Sequence, residues 1–154
     1  MDISLYFEPV SLDGNELLSK VNDKNRLGNI INIYHENSVF PELDGVKLAI
    51  FGVQEDRGAL ENKGCGLAPN SVRNYFYTLH SHWGNLTITD LGNLKNGHSK
   101  EDTYFALKEV ISYLLTLGII PVVIGGSQDL TYANYLAYEH IGKVINIASV
   151  DPQF

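Results

Sequence analysis

The most constraining feature of this sequence is an alternation of short apolar runs with helical patterns, which begins at Val46. The apolar runs are rich in β-branched residues, as is typical of strands that are buried on both faces. The segments between them repeat apolar residues at helical spacing. The predicted strands are 46–53, 86–91, 119–124 and 144–150, and the predicted helices are 69–79, 100–117 and 130–141.

Strands that alternate with helices need crossover connections, and these are almost always right-handed. The order therefore predicts an α/β fold with three layers, in which a parallel sheet carries helices on both faces. In such sheets, sites form beyond the carboxyl ends of the strands. The loops after Val53, Leu91, Ile124 and Val150 are therefore the candidates for chemistry.

Charge divides the chain unevenly. Residues 1–45 carry eight acidic and three basic residues, whereas 46–154 carry ten and eight. We interpret 1–45 as an acidic N-terminal extension packed on the core formed by 46–154. The net charge of −7 argues against a nucleic-acid partner, which favours a basic surface. No apolar run approaches the ~20 residues that span a bilayer, and the start does not resemble a secretory signal. We expect a cytoplasmic protein without a membrane partner.

Polar side chains follow two of the predicted strands. Ser127, Gln128 and Asp129 come after the strand that ends at Ile124. Asp151 and Gln153 come after the fourth predicted strand. If the two strands are neighbours, these side chains face one pocket. The alternative is a simple helix start, where an acidic residue stabilises the positive end of the helix dipole by a few tenths to ~1 kcal/mol.

Glu55 and Asp56 follow the first predicted strand and are candidates for the rim of the same pocket. Arg57 comes directly after them. The alternative for these three residues is a solvated loop. Arg73, which follows Pro69 in a predicted helix, is interpreted as structural.

At this point the sequence resembles the ureohydrolase family, which comprises arginase, agmatinase and formimidoylglutamase. The resemblance covers about 46–154 and rests on several motifs in the family's order. They are Ile50-Phe51-Gly52-Val53, Gly66 to Arg73, Asp90-Leu91-Gly92-Asn93, Pro121 to Thr131 and Ile147 to Phe154. The resemblance implies an arginase-type fold, of which this chain would supply the N-terminal half.

The family motifs Gly-Gly-Asp-His and Asp-Ala-His-x-Asp supply manganese ligands, and this chain departs from both. Ser127 and Gln128 stand where the first motif has Asp and His. Asp151 keeps the first Asp of the second motif, but Gln153 replaces its His. A carboxamide oxygen carries no charge to offset the metal, so it is a weaker ligand than the residues it replaces.

Two functional hypotheses follow from the resemblance. In the first, the chain has lost the two Mn²⁺ ions of the family and acts by binding or assembly, as a homo-oligomer or beside a related subunit. In the second, it is a Mn²⁺-dependent hydrolase of linear amidine C–N bonds, with formimidoylglutamate preferred, and residues outside this chain complete its altered site. A small amidine or guanidino substrate is expected only in the second case. There, two metals would hold and activate the attacking hydroxide.

Overall fold

A five-stranded mixed sheet forms the centre of the computed structural model, which describes residues 1–11, 23–82, 84, 86–139, 142 and 144–150. The strands are β1 (Phe7–Glu8), β2 (Asn32–Ile33), β3 (Leu48–Val53), β4 (Ile88–Leu94) and β5 (Ile120–Ile124). β3 pairs in parallel with β4 on one side and with β5 on the other. β1 joins β4 in antiparallel fashion, and β2 joins it in parallel. β5 therefore lies at one end of the strand order β1–β4–β3–β5.

Four α-helices accompany the sheet. They are α1 (Leu27–Ile30), α2 (Ala68–Phe76), α3 (Lys100–Thr116) and α4 (Leu130–Glu139). Short 3-10 turns cover Ile3–Tyr6 and Cys65–Leu67. None of the helices in the described ranges is long and apolar enough to cross a membrane.

Six of the seven predicted elements appear close to their predicted positions, and the α/β class is confirmed. One strand extends further than expected: β4 continues through Leu94, because Asn93 and Leu94 still pair with Gly52 and Val53 of β3. The Asp-Leu-Gly-Asn motif thus lies inside the strand. Its backbone remains within the sheet, so this motif does not form a loop at the strand end.

The predicted strand 144–150 is wrong. The structure gives these residues no regular secondary structure, and Val144 and Val150 are almost fully exposed. The apolar, β-branched run carries the local signal of a strand, but a strand also needs a neighbour to satisfy its backbone hydrogen bonds. The described strands include none that pairs with this segment.

Two buried apolar clusters lie on opposite faces of the sheet, because successive side chains of a strand alternate between faces. Ala49, Phe51 and Val53 of β3 belong to one cluster, which includes the apolar faces of α3 and α4. Ile50 belongs to the other, together with residues of α1 and the end of α2. The described residues of 1–45 contribute to both clusters, for example through Phe7 and Leu27. This arrangement gives the three layers expected from the sequence.

Local signals set the limits of the longest helix. Ser99 accepts a hydrogen bond from the backbone N–H of Asp102, and the Asp102 carboxylate accepts one from the backbone N–H of Ser99. This capping box satisfies two donors that the first turn of α3 leaves free. Gly118 adopts the left-handed conformation directly after the helix, with φ of 72°. Glycine takes this conformation without strain, so α3 ends there.

A buried ion pair fastens α2 to the sheet. The guanidinium of Arg73 donates to both carboxylate oxygens of Asp90, from Nη2 to Oδ1 at 2.8 Å and from Nε to Oδ2 at 2.9 Å. The Tyr77 hydroxyl donates to the same carboxylate at 2.9 Å, and burial raises the pKa of that hydroxyl above its usual range. Arg73 also donates to the side chain of Asn93 and the carbonyl of Gly92. Arg73 therefore has the structural role expected from the sequence.

Candidate functional site

Two loops meet at the carboxyl ends of β3 and β5. The main-chain carbonyl of Glu55 accepts hydrogen bonds from the backbone N–H of Ser127 at 2.9 Å and from its hydroxyl at 3.2 Å. Parallel neighbours end at the same edge of a sheet, so the strand order brings these loops together. The hydrogen bonds then fix the position of the 125–129 loop relative to the 54–62 loop.

Gly126 is required by this close approach. A Cβ atom at this position would lie well inside contact distance of the Glu55 carbonyl. The neighbouring Gly125 is different, because a Cβ there would meet only Leu130, at 3.4 Å. The first glycine of the pair is therefore tolerant, and the second is set by the contact between the two loops.

The Glu55 side chain lies beneath the loops and is fully buried. Its carboxylate accepts from the backbone N–H of Arg57 at 2.8 Å, from the Arg57 guanidinium and from the Thr103 hydroxyl at 3.1 Å. Hydrogen bonds from the Arg57 side chain are the main reason that the pKa of Glu55 falls from 4.5 to about 2. Glu55 is thus a permanent anion at neutral pH, with Arg57 as its cation.

Arg57 extends this network to the start of α3. Its guanidinium donates to the main-chain carbonyls of Gly97, His98 and Ser99, at 3.1, 2.7 and 3.1 Å. Three segments are therefore joined through one side chain: the loop after β3, the loop before α3 and, through Glu55, the 125–129 loop. Preorganisation of this kind holds a binding surface in one geometry.

Asp129 lies between α3 and the 54–62 loop. Its Oδ2 accepts a hydrogen bond from the Tyr104 hydroxyl, and both of its carboxylate oxygens lie close to Gly58. Its Oδ1 is buried and has no hydrogen-bond partner among the described residues. The carboxylate therefore has one oxygen engaged by the protein and one available to a further donor.

An open cleft of about 1210 Å³ lies between the two loops. One wall consists of Ser127, Gln128 and Asp129, and the other consists of residues 58–62, including Glu61. Gln128 is exposed. The cleft therefore presents carboxylates, a carboxamide and backbone groups at the sheet edge where α/β proteins place their sites.

The structure distributes the predicted site residues as follows. Ser127, Gln128 and Asp129 line the cleft. Glu55 supports the loops from below, while the Asp56 carboxylate accepts a hydrogen bond from the backbone N–H of Gly64 at 2.8 Å. Asp151 and Gln153 lie outside the described residues, so their predicted place beside Gln128 stays a prediction.

Sequence reasoning missed Thr103 and Tyr104, both near the start of α3. Tyr104 was expected only on the apolar face of this helix, yet its hydroxyl reaches Asp129. No local pattern connects residues separated by 25 positions. The wall formed by 58–62 was also missed, and the glycine at position 58 is its one signal, since a glycine marks a close approach of other groups.

The donor chemistry of the described cleft does not match the manganese centre implied by the sequence resemblance. Ser127 already donates its hydroxyl to Glu55, and Asp129 is engaged by Tyr104. Gln128 offers a neutral carboxamide. Within the described ranges, there is no group of three or more His, Cys, Asp or Glu residues arranged to hold a metal ion.

Comparison with known proteins identifies the relatives of this fold. Formimidoylglutamase of Streptococcus gordonii is 31% identical over 99 residues, which cover 61% of this chain and 30% of that protein. The structure of Trypanosoma cruzi formiminoglutamase with Mn²⁺ matches with a TM-score of 0.64 and 22% identity, over 77% of this chain and 41% of that one. Formimidoylglutamase from Bacillus subtilis matches with a TM-score of 0.63 and 15% identity, over 79% and 39%.

The chain spans about a third of the length of the curated relatives it matches. At their level of identity, the solved structures establish the fold alone. The model of the arginase family matches residues 46–151, which is more than half of the chain and contains both loops of the cleft. The chain therefore belongs to the arginase family.

Proposed function

We propose that this chain is a non-catalytic member of the arginase family that acts by binding or assembly and does not hold the manganese pair. The single observation that carries the proposal is the state of the 125–129 loop. Its hydroxyl is bonded to a main-chain carbonyl, its carboxylate is held by a tyrosine, and a carboxamide occupies the exposed position between them.

The chemistry of the donors supports this proposal. Mn²⁺ favours carboxylate and imidazole ligands, and the charge of a carboxylate offsets that of the ion. Ser127 and Gln128 supply neither. To ligate a metal, Ser127 would have to give up a hydrogen bond that fixes the loop, so binding would compete with folding. Loss of the metals removes the activated hydroxide on which hydrolysis in this family depends.

A second candidate function is hydrolysis of a linear amidine C–N bond by a longer form of the protein. Two observations favour it. The relatives reported above are formimidoylglutamases, and the cleft carries the carboxylates of Glu61 and Asp129, which suit a cationic amidine. In this version, residues outside the chain would supply the missing ligands.

One experiment separates the two candidates. The protein is titrated with Mn²⁺ by calorimetry, and then assayed for ammonia, formamide and urea release from formimidoylglutamate, agmatine and arginine. We expect no saturable Mn²⁺ binding at micromolar concentration and no release from any substrate. Tight manganese binding together with release of formamide would overturn the proposal and establish the second candidate.

A further inference from the structure

The outer edge of β5 has no partner strand in the described structure. β5 pairs with β3 on one side, and the backbone N–H of Ile120 points that way, to the carbonyl of Lys47 at 2.9 Å. Because backbone groups alternate along a strand, the N–H of Val123 and the carbonyls of Pro121 and Val123 point to the other side. This edge can therefore accept the backbone of another strand.

The edge is apolar as well as unpaired. Ile120 is 61% exposed and Val122 is 37% exposed. The sequence of β5 is Ile-Pro-Val-Val-Ile, without a charged residue. Proteins usually protect an exposed edge with charged side chains or with proline. Here Pro121 is the only such device within β5, and it leaves the donor of Val123 in place.

A second unpartnered segment has the complementary properties. Residues 144–150, Val-Ile-Asn-Ile-Ala-Ser-Val, are also uncharged and rich in β-branched side chains. Ile147 is 68% exposed. In its own molecule this segment lies along α4, where it forms a pocket with Tyr135 and Tyr138. It is therefore not placed against β5, although its sequence favours a strand.

We propose that β5 of one copy receives residues 144–150 of a second copy as an additional strand, so that two chains exchange these segments reciprocally. Each copy supplies the strand that the other copy's edge lacks. The exchange closes on itself, because each chain gives one segment and receives one, and so it makes a dimer. Apolar side chains exposed in the monomer become buried, which is the driving force for association.

Two substitutions test the two halves of the interface. Ile147→Lys places a charge in the exchanged segment, and Val123→Pro removes the outward N–H of β5 while leaving its bonds to β3. Each variant should weaken the dimer at least about tenfold, as expected from the loss of one buried aliphatic side chain or of the edge hydrogen bonds. Val39→Lys is the matched control, since Val39 is 86% exposed at a distant position. Mass is measured by sedimentation equilibrium over a range of concentrations.

Mixing the two variants gives the decisive result. The Ile147→Lys chain keeps an intact β5 edge, and the Val123→Pro chain keeps an intact segment, so the mixture should form a heterodimer although each variant alone is monomeric. Ile147 is exposed, so its variant reports on association even if Val123→Pro fails to fold. A wild-type chain that is monomeric at all concentrations, a dimer that survives Ile147→Lys or a dimer that Val39→Lys abolishes equally would overturn the proposal. So would a mixture of two folded variants without heterodimer.

Discussion

The main-chain carbonyl of Glu55 and the backbone and hydroxyl of Ser127 form the contact that holds the two loops of the cleft together. The contact joins residues 72 positions apart, at the ends of two neighbouring strands. It uses the serine that stands in place of a family aspartate. The same substitution that removes a candidate metal ligand therefore supplies a structural hydrogen bond.

Gly126→Ala tests the closeness of the two loops. The added methyl group would press against the Glu55 carbonyl, so we expect the free energy of unfolding to fall by about 1–3 kcal/mol, as for other overpacked sites. Urea denaturation measures the change. Gly125→Ala is the matched control and should change stability by less than about 1 kcal/mol, since its methyl group would meet only Leu130. Equal effects at the two glycines would contradict the assigned contact.

Glu55 predicts a specific acid sensitivity. Its pKa is lowered from 4.5 to about 2, so the ionised group stabilises the folded state fully above about pH 4.5. That contribution is lost as the pH falls towards 2, because the unfolded chain takes up the proton first. Arg57 is 39% exposed, and screening by water limits the contribution to about 1–3 kcal/mol.

The variant Glu55→Gln should remove this part of the pH dependence of stability, measured by urea denaturation between pH 2.5 and 6. The exposed Glu61→Gln serves as the control and should leave the profile unchanged. If the Glu55→Gln protein retained the full wild-type loss of stability over this range, another carboxylate would be responsible.

The buried pair Arg73 and Asp90 should be strongly coupled. Either Arg73→Leu or Asp90→Leu leaves an unpaired buried charge, which costs about 3–5 kcal/mol. The double variant should cost clearly less than the sum of the two, because it removes both charges. A double-mutant cycle by chemical denaturation gives the coupling energy. Strictly additive effects would show that the pair does not act as one unit.

Restoring histidine should restore metal affinity. The change Gln128→His with Gln153→His, in a full-length form, supplies imidazole at both positions where the family has it. We expect Mn²⁺ binding, measured by calorimetry, to become at least about tenfold tighter. Asn74→His, on the exposed surface of α2, controls for an added histidine as such. Unchanged affinity in the double variant would contradict the equivalence of these positions to the family ligands.

The sequence predicted the strands and helices that carry strong local patterns. The apolar runs of β3 and β5 and the amphipathic α3 are examples, and their boundaries agree within a few residues. The two-residue strands β1 and β2 were missed, because such short segments are strands only through their pairing with β4. Residues 144–150 failed in the opposite way, with a strand pattern but no paired strand.

The candidate site was predictable in the same measure. The 125–129 loop was found because a motif and a strand end coincide there. The contacts that define its geometry, from Glu55 to Ser127 and from Tyr104 to Asp129, join residues distant in the chain. Such pairs depend on the register of the sheet and the docking of α3, which a local pattern does not specify.

Manganese content tests the central claim most directly. The longest natural form of the protein is purified from cells grown with added manganese, and the bound metal is measured by elemental analysis. The absence of bound manganese in a folded protein, shown by circular dichroism, is the result that our account predicts. A near-stoichiometric content would contradict it, and would mean that the chain tolerates glutamine at the positions of the family histidines.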